Sequence, residues 1–152
     1  MILFKAPQKV CFDANSMNLF LAGTIDQGNS EDWQTKVINH FKDSPLTILN
    51  PRRDDWDVSW DQSIYNPQFR EQVEWELDCL DKCSHILMHF EESSKSPITL
   101  LELGLYANSK KIIVSCPMKF WRRGNIEIIS NKFKIPLFTN LVDALAYFDL
   151  AN

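Results

Sequence analysis

Among the residues of this chain that are able to do chemistry, one carboxylate stands in unusual company. Residues 96–108 read Ser-Pro-Ile-Thr-Leu-Leu-Glu-Leu-Gly-Leu-Tyr-Ala-Asn, with Glu102 as the only charged side chain. The spacing predicts a helix over 97–108, capped by Ser96 and carrying proline at its first position. A helix that is apolar nearly all round is expected to be buried, and an unpaired carboxylate is costly to bury. Such a residue is kept because it caps or pairs structurally, or because it reacts. A second polar cluster lies in residues 52–67, rich in Arg, Asp and Trp and without a clear period. Unstructured loops of this length are usually functional or mobile. Glycine is scarce, with four in all, and Gly23, Gly28 and Gly104 fall around the same candidate region.

The elements that must position these residues alternate between strand and helix. Asn18 to Gly23 reads as a buried strand that ends where glycine lets the backbone turn. Ser30 is the expected cap of a following helix, in which Trp33, Val37, Ile38 and Phe41 recur at helical spacing. Strands are expected at 46–49, 84–90, 111–115 and 136–138, and helices at 68–81, 125–133 and 141–149. In the 68–81 helix the expected apolar face is Val73, Leu77 and Leu80. Strands alternating with helices imply a parallel sheet covered on both faces. The fold expected is α/β, a flavodoxin-like or Rossmann-like doubly wound five-stranded parallel sheet in the order 2-1-3-4-5. In such sheets ligands bind beyond the carboxyl ends of the strands where the winding reverses. That rule selects residues 23–30 and 91–102, and the second segment contains Glu102.

Composition narrows the partners. The 152 residues are 45% hydrophobic, 24% charged and 12% aromatic, which suits one globular domain over 1–152 with its core at about 18–150. A net charge of -4 argues against a nucleic-acid polymer as the main partner. No apolar run is long enough for a membrane span, and Met1 to Lys5 lacks the flanks of a signal peptide, so a soluble cytoplasmic protein is expected. The four cysteines and three histidines show no metal-ligand spacing. Cys79 and Cys83 read as filler on one helix, and His40, His85 and His89 as structural. No metal and no cofactor is expected.

Four segments carry a resemblance: Leu21-Ala22-Gly23-Thr24-Ile25, residues 50–56 (Asn-Pro-Arg-Arg-Asp-Asp-Trp), residues 72–77 (Gln-Val-Glu-Trp-Glu-Leu) and the 96–107 segment with its Glu-Leu-Gly-x-x-x-Ala core. Together they resemble the nucleoside 2-deoxyribosyltransferase-like proteins, over about residues 18–138. The resemblance implies an enzyme that cleaves the N-glycosidic bond of deoxynucleosides or their 5′-monophosphates and passes the sugar to another base or to water. It implies Glu102 as the nucleophile at the anomeric carbon, in the manner of retaining glycosidases. The family's acid for the leaving base is an aspartate, and the matching position here is Glu76, one methylene longer, with Glu74 as the fallback. Solvated helix surface is the bland alternative for both.

Other positions follow residue by residue. Gly23 and Thr24 belong to the strand-one motif. Ser96 stands where the transferases have an aspartate and the monophosphate hydrolases a serine that touches the 5′-phosphate. Asp26 stands where those hydrolases have an arginine, so the phosphate state of the substrate stays open; Asp26 would instead bond a sugar hydroxyl or handle a proton. Asn125 matches an asparagine lent to a neighbouring subunit, implying a homodimer or larger homo-oligomer with shared sites; its alternative is a helix cap. In the loop over the base, Arg52 and Asp55 would bond a base edge while Trp56 or Trp60 stacks on it, or Arg52 and Asp54 would simply form ion pairs that order the loop. The alternative function is a non-catalytic nucleotide-binding sensor using the same crevice.

Overall fold

The computed structural model describes residues 1–12, 16–25 and 31–151. They form β1 (Ile2–Lys5), β2 (Asn18–Gly23), α1 (Trp33–His40), β3 (Thr47–Asn50), α2 (Pro67–Lys82), β4 (His85–His89), α3 (Pro97–Tyr106), β5 (Ile112–Ser115), α4 (Arg123–Phe133), β6 (Leu137–Phe138) and α5 (Leu141–Ala151). The parallel sheet has six strands in the order β1-β3-β2-β4-β5-β6. Five of them stand in the expected doubly wound order. The correction is β1, an additional edge strand paired in parallel with β3 from Ile2–Thr47 to Lys5–Asn50. Four residues at a chain start carry too little pattern to announce a strand; the partner strand defines it.

By contacts the residues group into two compact units, Met1–Leu21 with Asp32–Ser84, and Ala22–Glu31 with His85–Asn152. In the first unit, β3 is buried along its whole length and Leu19, Phe20 and Leu21 of β2 have no exposure, as strands covered on both faces must. Helix α1 starts at Trp33, capped by Asp32, which accepts the Thr35 backbone N–H at 3.1 Å. The expected cap, Ser30, lies outside the described residues. Asn66 caps α2 by accepting the N–H groups of Gln68 and Phe69, each at 3.1 Å, with Pro67 at the first helical position. The buried residues of α2 are Gln72, Cys79 and Leu80, and Leu77 is 39% exposed. Of the expected face, Leu80 is buried and Val73 half-buried, while Leu77 is not: a polar side chain with bonding partners, Gln72, took an inward position that an apolar-spacing rule reserves for leucine.

In the second unit the core is built by Ile86, Leu87, Met88, Leu103, Val114 and Ile126, with Phe90 against Phe120 at 5.0 Å between ring centroids. His85 meets Phe148 edge-on at 5.3 Å, and His89 Nδ1 lies 3.0 Å from Ser115 Oγ, which are structural contacts. Helix α3 overturns an expectation. It is not buried all round: Ile98, Leu101 and Leu105 are 60, 60 and 61% exposed, while Thr99, Glu102 and Leu103 are buried. With apolar residues on both sides, periodicity held no information about which side faces in.

Candidate active site

In the second unit the site begins where β2 ends. Gly23 has φ 154°, a conformation that side-chain-bearing residues rarely adopt, and it turns the chain so that Thr24 is buried. The Thr24 N–H donates to the His89 carbonyl at 2.9 Å, and its Oγ1 accepts the Glu91 N–H at 3.2 Å. The same Oγ1 lies 2.6 Å from Ser96 Oγ, and Ser96 Oγ donates to Ser94 Oγ at 3.1 Å. Three buried hydroxyls thus meet at the start of α3.

Ser96 occupies the cap position without capping. Its backbone is left-handed, φ 44° and ψ 53°, and its side chain makes no bond to the helix. A residue preceding proline favours extended backbone, so this is strain held by its surroundings, of the kind that clusters at functional sites. From Ser96 inward, Thr99 and Glu102 follow at intervals of three and all are buried, at 5, 3 and 8% exposure. Residues three apart share a helix face, so α3 turns a polar stripe inward beside Leu103 and leaves Ile98, Leu101 and Leu105 outward. Thr99 was overlooked in the sequence, although its spacing from Ser96 and Glu102 was there to be read.

In the first unit the loop after β3 is tied down by charge. Arg53, whose side chain is 7% exposed, holds both oxygens of Asp55 at 2.6 and 3.2 Å and reaches Glu71 of α2 at 3.0 Å. That hydrogen bond from Arg53 keeps the Asp55 carboxyl below the usual carboxylate range. The Arg53 guanidinium also lies 5.1 Å from the Trp60 ring centroid, and Trp60 meets Trp56 at 5.2 Å. Asp54 pairs with Lys5, so this carboxylate forms an ion pair whose partner lies outside the loop. Arg52 donates from Nη1 to Gln34 Oε1 at 3.4 Å and lies 4.0 Å from Asp32. The Nε1 of Trp56 and the Nε2 of Gln34 are buried and lack a partner among the described residues. Gln34 is a second residue that periodicity gave no reason to select.

Glu74 and Glu76 separate cleanly. Glu74 is exposed and paired with Arg70 at 2.6 Å, an ordinary surface ion pair one helical turn apart. Glu76 is half-buried and accepts a hydrogen bond from Gln72 at 2.8 Å. Burial pushes its carboxyl up to about 7, against the opposing pull of that bond. An acid poised near neutrality is what proton donation requires.

Asn125 is exposed in the first turn of α4, whose cap position is Arg122, so the alternative of a helix cap does not hold. Asp26 lies outside the described residues. Two open surface depressions, of about 440 and 540 Å³, are lined by neither Glu102 nor Glu76. Among the described residues no three His, Cys, Asp or Glu side chains are grouped to hold a metal ion, and no helix is long and apolar enough to cross a membrane.

Residues 16–120 match the family model described as nucleoside 2-deoxyribosyltransferase like. The chain belongs to that family. The matched region takes in β2 through β5 with Glu76, Ser96 and Glu102, and stops before Asn125. No curated protein matches the chain.

Proposed function

We propose that this protein, acting as one catalytic domain, breaks the N-glycosidic bond of a deoxynucleoside or its 5′-monophosphate and delivers the sugar to a second base or to water. A Glu102 carboxylate oxygen bonds to the anomeric carbon as the carbon–nitrogen bond breaks. The electron pair of that bond leaves with the base, which takes the proton carried by Glu76. The products are free base, a glycosyl ester on Glu102 and an ionised Glu76. Water or a second base then attacks the same carbon from the opposite face and gives its proton to Glu76, and Glu102 departs as carboxylate. Arg52 and Trp56 contact the base, while Asp55 acts through Arg53 to order their loop. Gly23, Thr24 and Ser96 line the sugar side.

The observation that carries this reading is the inward polar stripe of α3, which encloses a carboxylate while leucine-sized side chains on the same helix stay in solvent. That outward face, Ile98, Leu101 and Leu105 with Gly104 between them, supports a homo-oligomer in which Asn125 enters a neighbour's sugar pocket. Among the described residues outside the helix's own backbone, nothing stands within 4 Å of a Cβ placed on Gly104. The working location proposed is cytoplasmic.

The test replaces Glu102 with Ala and with Gln and assays a deoxynucleoside panel for free base. A loss of 10⁴-fold or more, on the order of what removing a covalent nucleophile costs, is expected, together with a sugar adduct on the wild-type chain by intact mass. Undiminished turnover sinks the reading. Tight nucleotide binding without base release from the wild type favours the sensor instead. Sugar recovered on an added second base marks transfer, and free deoxyribose marks hydrolysis.

A further inference from the structure

We propose that Gln72 is a positioning residue for the acid: its side-chain amide clamps one oxygen of Glu76, so that the transferable proton sits on the other. The inference rests on the role given to Glu76 above.

The geometry is specific. Gln72 Nε2 donates to the Pro51 carbonyl at 2.8 Å and to Glu76 Oε1 at 2.8 Å. Both amide hydrogens are thereby used, on a residue that is 4% exposed. Turning the amide over would set its oxygen against the Pro51 carbonyl, two acceptors facing each other, so the orientation is dictated by the backbone. Pro51 is held in turn by the tight turn before it, where the Arg52 N–H donates to Asn50 Oδ1 at 2.9 Å. An amide N–H only donates, and a neutral carboxyl carries a single hydrogen. Oε1 of Glu76 is therefore the acceptor, and the proton is on Oε2.

A glutamine whose task was only to fasten α2 to the end of β3 would need the Pro51 bond alone. Instead Gln72 leaves its own Oε1 buried without a partner among the described residues, an unfavourable arrangement that comes with directing the second N–H at Glu76. The Cys79 thiol, one turn further along α2, feels the Glu76 charge, and burial pushes that thiol up to about 12, so it stays neutral; the influences on the Glu76 carboxyl itself are burial and the Gln72 bond. The Gln72 bond is then the main influence opposing burial at this carboxyl.

The experiment compares wild type, Gln72→Met and Gln72→Glu by the pH dependence of kcat and kcat/KM for base release, with Glu76→Gln as the reference. Gln72→Met keeps the side-chain volume and removes the donor. Its alkaline limb is expected to move to higher pH, with kcat lowered about tenfold, the effect of one misdirected hydrogen bond, and KM within about twofold. Gln72→Glu sets a second carboxyl beside Glu76, and its limb is expected to move further in the same direction. A Gln72→Met profile superimposable on the wild type overturns the inference, even if the variant melts earlier, because fastening a helix does not set a proton. Should that variant fail to fold, an unmoved limb in Gln72→Glu overturns it equally. If Glu76→Gln itself keeps full activity, the fault lies with the acid assignment, and this inference falls with it.

Discussion

Glu76→Gln separates what the acid does for turnover from what it does to stability. The carboxyl is pushed from 4.5 to about 7 by burial. A folded-state value above the unfolded one means stability is fully present below about pH 4.5 and is lost as pH rises through about 7. A shift of that size corresponds to at most about 3 kcal/mol; because the residue is half-buried rather than sealed, that figure is a ceiling. Glutamine has no charge to bury at any pH. Wild type and variant are therefore expected to melt together below about pH 4.5, to diverge between pH 4.5 and about 7, and to keep a constant gap above that, the variant being more stable. For a chain of this length each kcal/mol moves the melting temperature by about 2–4 °C, so the gap approaches 6–12 °C at its largest. Activity moves the opposite way. Wild-type kcat/KM falls about tenfold from pH 6 to pH 8 as the protonated fraction of a pH 7 acid declines, and the variant is flat and lower by about 10²–10⁴-fold. Differential scanning fluorimetry across pH 4–9 beside a base-release assay measures both. A melting difference that does not change with pH, or wild-type turnover equal at pH 6 and 8, refutes the reasoning.

Two further outcomes follow from α3. Ser96→Gly relieves the left-handed backbone while losing the hydroxyl, and Ser96→Ala loses the hydroxyl and keeps the strain, so in urea titrations the glycine variant should be the more stable of the two by about 1 kcal/mol; the reverse order would mean the backbone there is unstrained. Leu101→Glu changes an exposed position and should leave subunit stability within about 0.5 kcal/mol, yet dissociate the assembly in sedimentation velocity; an unchanged oligomer would show that this face is not the contact.

The order of the strands was legible because buried parallel strands are short apolar runs between turn residues, and Asn18 to Gly23 and His85 to His89 say so plainly. Glu102 was legible for the opposite reason, as a charge among hydrocarbon. The facing of helices was not. Leu77 and Leu101 obey helical spacing and still point to solvent, because Gln72 and Thr99 take inward positions and spacing cannot weigh a hydrogen bond against a methyl group. Ser96 illustrates the same limit: serine before proline reads as a cap, whereas in the fold its hydroxyl goes to Thr24 and Ser94. Bonds between segments far apart in the chain, such as Arg53 to Glu71 or Gln72 to Pro51, leave no local pattern to find.

The orientation of α3 links the chemistry to the assembly. Fully burying a leucine-sized side chain is worth about 1.5–3 kcal/mol, and Ile98, Leu101 and Leu105 each keep roughly three-fifths of their surface in water. Turning the helix over would gain on the order of 3–5 kcal/mol from those three side chains in an isolated subunit and give back about 1.5–3 kcal/mol at Leu103, which is fully buried. The net, on the order of 1–2 kcal/mol, is what an isolated subunit forgoes. The arrangement becomes favourable if a second copy covers the leucines while substrate meets the stripe of Ser96, Thr99 and Glu102. One helix then serves two surfaces, and loss of the assembly should lower turnover even in a subunit whose Glu102 is intact.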